Sequence, residues 1–550
     1  MRGALEWEVA IAKENVLCNQ MPDMKLVQRI LICLALGISN SGMLFAALPE
    51  DVLARSHFIG TTAAANQSAK LNEIWSLPES VKFRDDVLQK LARTSLKFVG
   101  ADSRDANQAA LLKPLFQDLM AAESVIELRG KTNLEFFAAV VLSEARSKVW
   151  ETNLQRLSNG KLDGSKGWQA KGNRNFLKFF RDGKWTVVAL ALEQSPAQAD
   201  FLKRLRAVGP GKDLLDADID WPKLQRWIPL DSIPLKLART EIKIVSQGEN
   251  LRSTVRVLYP EKINWKFESW QIPTDLIRDP LISFSAGQNL AAFFKPSHKI
   301  QQLTFNPLTN QIYFWAQSQM PFQSYVSVPV KNSTNTMRVL GPQIANAYNP
   351  VLKKRDGGKL TVATNNVDLF WSELPIIVPF LRPAKEKSGS EFLLGGIFPL
   401  VKSTNLPPAE LFGQVSGAKD LVFYDWEITQ PRLSQWLVIG QLLPLFSKEV
   451  VAGTNAASPN RLAPPKVPEQ KWLASVAPKL GNAVTQVSYK SPNELNIVRK
   501  SHLGLNSVEL ILFSHWLAHP KFPAVNPFAA ADIGSASAAP AKSSPTLPTR

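Results

Sequence analysis

Phe176-Leu-Lys-Phe-Phe180, then Arg181-Asp-Gly-Lys184, then Trp185-Thr-Val-Val-Ala-Leu-Ala-Leu192 carries the clearest structural signal in the chain. Its arms are aromatic and β-branched, residues that fit a pleated, half-buried surface. The Asp-Gly pair between them suits the positive φ angles of a tight type I′ turn. The stretch reads as an antiparallel hairpin. A second hairpin is expected from Leu237–Val245 and Leu251–Tyr259 around Gln247-Gly-Glu-Asn250, and Ser124–Arg129 and Leu134–Leu142 flank a similar turn at Gly130-Lys-Thr-Asn133.

Outward from these hairpins the hydrophobic period changes. Ala63–Leu77, Ser80–Leu96, Ala109–Ala122 and Glu144–Leu157 read as helices, and Val81, Val87, Leu88 and Leu91 share one face of the second. A strand at Val52–Ile59 precedes them and ends at Gly60. Further on, Leu281–Ser285 is strand-like, Gly287 punctuates, and Asn289–Phe294 looks helical, which echoes that opening. Strands at Gln311–Gln317, Gln323–Val330, Lys359–Thr364, Asp368–Trp371, Glu391–Phe398 and Leu421–Ile428 alternate with helices at Thr336–Lys354 and Arg432–Phe446. The expected fold is α+β: antiparallel sheets with helices packed on them. Two units of like order are expected, 48–265 and 270–520, as a duplication would leave. An Asn, Ala and Pro-rich linker at 453–468 and an Ala/Ser/Pro tail at 521–550 lack the residues to build a core.

Residues 24–47 read as an export leader. Lys25 and Arg29 precede Ile30-Leu-Ile-Cys-Leu-Ala-Leu-Gly-Ile38, an uncharged run of nine, and small residues follow up to Ala46 and Ala47. A spanning helix needs about 20 apolar residues, and Ser39-Asn-Ser-Gly42 interrupts this run first. An uncleaved anchor and a buried helix are the competing readings. Glu6, Glu8, Glu14 and Asp23 make 1–23 a poor start for a leader, so Met24, or else Met21, is the expected initiator. Cleavage after Ala46 or Ala47 removes Cys18 and Cys33, the only cysteines. Disulfides, a cysteine nucleophile and a thiolate metal site are then excluded. The expected address is bacterial and exported, periplasmic or extracellular.

The chain has 550 residues and a formal charge of +17 from 64 Lys and Arg against 47 Asp and Glu. Residues 1–46 hold Arg2, Lys13, Lys25 and Arg29 against four acids, 4 − 4 = 0, so the mature chain keeps the excess. Such a charge favours an anionic envelope component, lipid or polysaccharide. The cations are scattered, the longest run being Lys353-Lys-Arg355, and no nucleic-acid motif is present. After Leu48 no segment is long and apolar enough to span a bilayer.

Several phrases carry a resemblance: Leu48-Pro49, Ile74-Trp-Ser-Leu-Pro-Glu-Ser80, Ile277-Arg-Asp-Pro-Leu-Ile-Ser-Phe284, Asn310-Gln-Ile-Tyr-Phe-Trp315 and Arg499-Lys-Ser-His-Leu-Gly504. Together they resemble an uncharacterised family of exported bacterial proteins. The resemblance covers nearly the whole mature chain and implies export and a shared fold, with no activity attached.

Candidate chemistry is sparse. His515-Trp-Leu-Ala-His519 places two imidazoles at i and i+4 of a helix, and His502 would be a third metal ligand. The zinc-protease Glu is replaced by Trp516, and helix-terminal histidines also answer the helix dipole. Ser416-Gly-Ala-Lys419 has the serine–lysine spacing of penicillin-binding acyltransferases and Ser491-Pro-Asn493 follows, but no Lys-Thr-Gly comes after it. Asp85-Asp86 and Asp216-Ala-Asp-Ile-Asp220 offer carboxylates, the latter without the Gly and distal Glu of a calcium loop. Trp168, Trp185, Trp265 and Trp270 lie near loops, where they would stack on sugars or cations, or else pack in the core. No catalytic set or cofactor motif emerges. The expected role is a non-enzymatic binding or scaffold protein, with an envelope hydrolase acting on polysaccharide or peptide as the alternative.

Overall fold

The computed structural model describes residues 49–96, 105–131, 133–158, 167–169, 175–209, 211, 213–227, 235–293, 310–318, 323–354, 358–364, 367–374, 377–400, 404–442, 468–519 and 522. The leader at 24–47, the stretch 1–23, residues 453–467 of the linker and all of the tail except Phe522 lie outside them. The chain forms two compact units, 1–63 with 88–230 and 64–87 with 231–550.

The first half runs β1 (Val52–Phe58), α1 (Thr61–Gln67), α2 (Ala69–Trp75), α3 (Pro78–Leu96), α4 (Ala106–Ala121), β2 (Ser124–Gly130), β3 (Leu134–Val141) and α5 (Glu144–Ser158). Then come β4 (Trp168–Gln169), β5 (Phe176–Asp182), β6 (Trp185–Ala191), α6 (Pro196–Arg206), β7 (Leu215–Asp220) and α7 (Trp221–Leu224). The Asp182–Trp185 register closes the β5–β6 hairpin around Gly183, whose φ is +59°. The first unit's ladders are all antiparallel and run β7–β1–β2–β3–β6–β5–β4. On one face, the α3 residues Leu88, Ala92 and Leu96, with α4 and α5, pack on Val140 and Val188. On the other, Phe201 and Leu205 of α6 cover Phe137, Ala139 and Val187.

The second half runs β8 (Arg239–Gln247), β9 (Asn250–Leu258), β10 (Leu281–Gln288), a 3-10 turn (Leu290–Phe293), β11 (Gln311–Gln317), β12 (Ser324–Pro329) and α8 (Ser333–Lys354). It continues with β13 (Lys359–Val362), β14 (Leu369–Ser372), β15 (Phe380–Lys385), β16 (Glu391–Gly396), α9 (Ala409–Ser416), β17 (Leu421–Ile428) and α10 (Thr429–Leu442). Last are α11 (Pro468–Val476), β18 (Asn482–Ser491), β19 (Glu494–Ser501) and α12 (Ser507–Ala518). Antiparallel ladders run β8–β9–β19–β18–β17–β10–β11–β12–β16–β15–β14–β13. α8 covers Leu369 and Leu393 on one face. Leu411 and Val415 of α9 cover Phe284, Tyr313 and Leu394 on the other.

Mixed helix and antiparallel sheet is therefore the observed class, and no helix among the described residues is long and apolar enough to cross a membrane. The unit boundaries differ from 48–265 and 270–520 for two physical reasons. The β8–β9 hairpin pairs with β19, which draws 239–258 into the second unit. Residues 64–87 join it as well, because Phe83 stacks on Trp472 at 4.9 Å and Ile74 packs among Leu433, Leu473 and Leu510.

Candidate functional site

In the second unit, β17 lies between β10 and β18. Directly opposed residues share a sheet face, so the register traces a row across the strands: Phe284, Trp426, Val484, Lys500, Arg252, Val245. The row changes character along its length. At the β10 end α9 covers it, with Phe412 edge-on to Phe284 at 5.3 Å. At the other end Lys500 and Arg252 are exposed and stand opposite each other, and neither forms an ion pair with another described residue. Like charges placed directly opposite on a sheet destabilise it. Their neighbour Arg256, by contrast, is neutralised by Glu241 and Glu494 at 2.7 and 2.9 Å.

Between these ends lies a cavity of about 410 Å³ walled by Leu281, Leu411, Tyr424, Trp426 and Val484. Among its polar lining groups, one Asp279 oxygen accepts the Leu281 N–H at 3.2 Å, and the Gln414 amide oxygen accepts the Tyr424 hydroxyl at 2.7 Å. Burial pushes that phenol up to about 12. The arrangement offers apolar contact beside unneutralised positive charge, and no nucleophile.

The opposite sheet face carries a buried acid pair. Asp425 accepts from the Ser285 hydroxyl at 2.7 Å and the Asn506 amide at 3.3 Å. Glu427 accepts the Ser507 N–H at 2.7 Å and its hydroxyl at 2.6 Å, at the start of α12. Burial pushes both carboxyls up, and it pulls the Arg432 guanidinium, stacked 4.4 Å over Trp436, down to about 10. Raised carboxyls mark acid–base sites when they face a cleft. Here the oxygens meet protein donors, and Asp425 and Glu427 are 8% and 4% exposed. The first unit buries a second network. Glu127 binds Arg129 and Arg204, His57 lies 2.9 Å from Glu123, and Arg55 is opposite Asp218.

No protein-family model, curated protein or solved structure matches this chain.

The residues singled out from sequence sit elsewhere. Trp168 is buried against α3, α4 and α5, and Trp185 packs in the α6 core with Lys184 over its ring at 4.7 Å. Trp265 stacks on Phe267 and meets Phe293 and Tyr489 edge-on. Trp270 lies edge-on to Tyr313 at 6.2 Å. Trp168 and Trp185 are buried, and Trp265 and Trp270 are half-buried. His515 lies 3.5 Å from Glu469, His502 Nδ1 takes the Gly481 N–H at 3.0 Å, and His519 caps α12. Among the described residues no group of three or more His, Cys, Asp or Glu is placed to hold a metal. Asp216 and Asp218 are buried on β7, Asp220 caps α7 through the Lys223 N–H, and Asp85 is exposed on α3. Ser416 ends α9 and Lys419 follows it, both exposed. The tryptophan that lines the cavity, Trp426, was not singled out. Its alternation with Tyr424 was the available signal, but Lys500 and Arg252 become neighbours only through the β9–β19 pairing.

Proposed function

We propose that this is an exported bacterial envelope protein that binds an anionic envelope component non-enzymatically, through the sheet face of β9, β19 and β18. The supporting observation is the exposed pair Lys500 and Arg252, opposed without a counter-ion among the described residues. Keeping two cations cross-strand costs stability unless an anion completes them. Export rests on Lys25, Arg29 and the apolar run Ile30–Ile38. The engagement of Asp425 and Glu427 by Ser285, Asn506 and Ser507 favours binding over hydrolysis, since glycoside hydrolysis needs two carboxyls facing a substrate.

We also propose that the two units descend from one duplicated α+β ancestor. Strand order supports this: β7–β1–β2–β3–β6–β5–β4 matches β17–β10–β11–β12–β16–β15–β14. In each, the helix after the third strand and the helix before the last cover opposite faces. The residue with positive φ that follows the first strand is Gly60 at +88° in one and Asn289 at +60° in the other. Asn289, rather than Gly287, is thus the counterpart of Gly60.

The binding reading is tested with the full mature chain and two probes, vesicles of anionic phospholipid and dextran sulfate. Replacing both cations (R252E with K500E) should abolish binding to whichever probe the parent binds, with thermal stability unchanged or raised. Undiminished binding by the double variant would overturn the reading.

A further inference from the structure

Resting on that binding reading, we infer that the ligand is a single-chain anionic amphiphile, its apolar chain in the cavity beside Trp426 and its anionic head on Lys500 and Arg252. A purely ionic ligand, such as an acidic polysaccharide, would use the two cations and ignore the cavity. Yet the two features share one row. Val484 lines the cavity and is the direct cross-strand partner of Lys500, whose next partner is Arg252. From Trp426 to Arg252 is three strand spacings, about 14 Å at ~4.8 Å each. One extended amphiphile spans that distance. The cavity, at about 410 Å³, falls within the size range of small-molecule sites.

Charge also sets the direction of binding. Asp279 precedes β10, whereas Lys500 lies on β19, and β17 and β18 stand between those strands. A head group at the β10 end would meet the Asp279 carboxylate; at the β19 end it meets two cations. The chain therefore points toward Leu281 and Leu411. The Tyr424 hydroxyl is not free to meet that chain, because it donates to the Gln414 amide oxygen at 2.7 Å.

The test is calorimetric binding of octyl, decyl and dodecyl phosphate at monomeric concentrations, with inorganic phosphate and dodecyl maltoside as controls. Affinity should rise about fourfold per added methylene until the cavity is full. Inorganic phosphate and the maltoside should bind at least tenfold more weakly than dodecyl phosphate. R252E with K500E should weaken every alkyl phosphate at least tenfold. Val484→Asn, checked for native circular dichroism, should erase the chain-length dependence and keep a weak phosphate affinity. The chain-length series on the unaltered protein decides the matter even if that variant misfolds. Alkyl phosphates binding no tighter than inorganic phosphate, while dextran sulfate still depends on Arg252 and Lys500, would overturn the amphiphile and leave the broader reading standing. Insensitivity of every probe to the two cations would sink both.

Discussion

Two backbone positions show how local geometry selects residues. Gly60 has a φ of +88°, and a Cβ there would fall 2.4 Å from the Ala121 carbonyl oxygen. Gly183 has a φ of +59° but faces open space. Gly60→Ala therefore suffers both backbone strain and a clash, about 3 kcal/mol or more, while Gly183→Ala carries only the strain, about 1 kcal/mol. Urea unfolding separates the two, and equal losses would refute the argument. Glu427 yields a pH prediction. Burial raises its carboxyl above the ordinary 4.5, so the folded state holds the proton more tightly. That contribution is fully present below the ordinary value and is lost as pH rises through the raised one. Glu427→Gln should flatten the fall in melting temperature from acid to neutral pH. Parallel melting curves for parent and variant would rule this out.

At the scale of elements, α12 is held by its first turn. Asn506 and Glu509 form a capping box, Ser507 donates twice to Glu427, and Arg499 pairs with Glu509. Asn506→Ala removes the cap and one donor to Asp425, for a loss of about 1–2 kcal/mol in chemical denaturation. An unchanged midpoint would show that the cap is idle. The elements differ in how far their sequences announced them. The β5–β6 hairpin was legible because its turn chemistry is local, and α8 because its period is long. α6 was missed although Ser195 caps it and Pro196 opens it, a signal present in the sequence. β7 was passed over because its alternating side chains are aspartates; they looked like ligands, but Asp216 and Asp218 are buried beside Arg55 and Asp220 caps α7. β15 holds Pro383, which argues against a strand. Asn493 marks the turn between β18 and β19, where Ser491-Pro-Asn493 had suggested an enzyme element.

At the scale of the molecule, the +17 charge gave a class of partner but no place for it. The place proposed for it depends on the pairing of β9 with β19, far apart in sequence, which no local pattern discloses. Two consequences of the proposed role follow. Binding through exposed cations is screened by salt, since the Debye length shrinks from about 10 Å at 0.1 M to about 3 Å at 1 M. The component sensitive to Arg252 and Lys500 should thus vanish over that range, leaving any chain-length dependence; a salt-independent loss in R252E with K500E would mean the cations act through folding instead. Export makes a separate demand. If the run Ile30–Ile38 is a disposable leader, the protein recovered from its host's envelope begins near Ala47 or Leu48 and contains neither Cys18 nor Cys33. Thiol titration of the denatured mature protein should then read zero, and N-terminal sequencing should place the cut. The two measurements check each other: a retained anchor would leave at least the Cys33 thiol, and intact Met1–Asp23 on protein in the cytosol would remove the envelope from the proposal while leaving the cationic face to be explained.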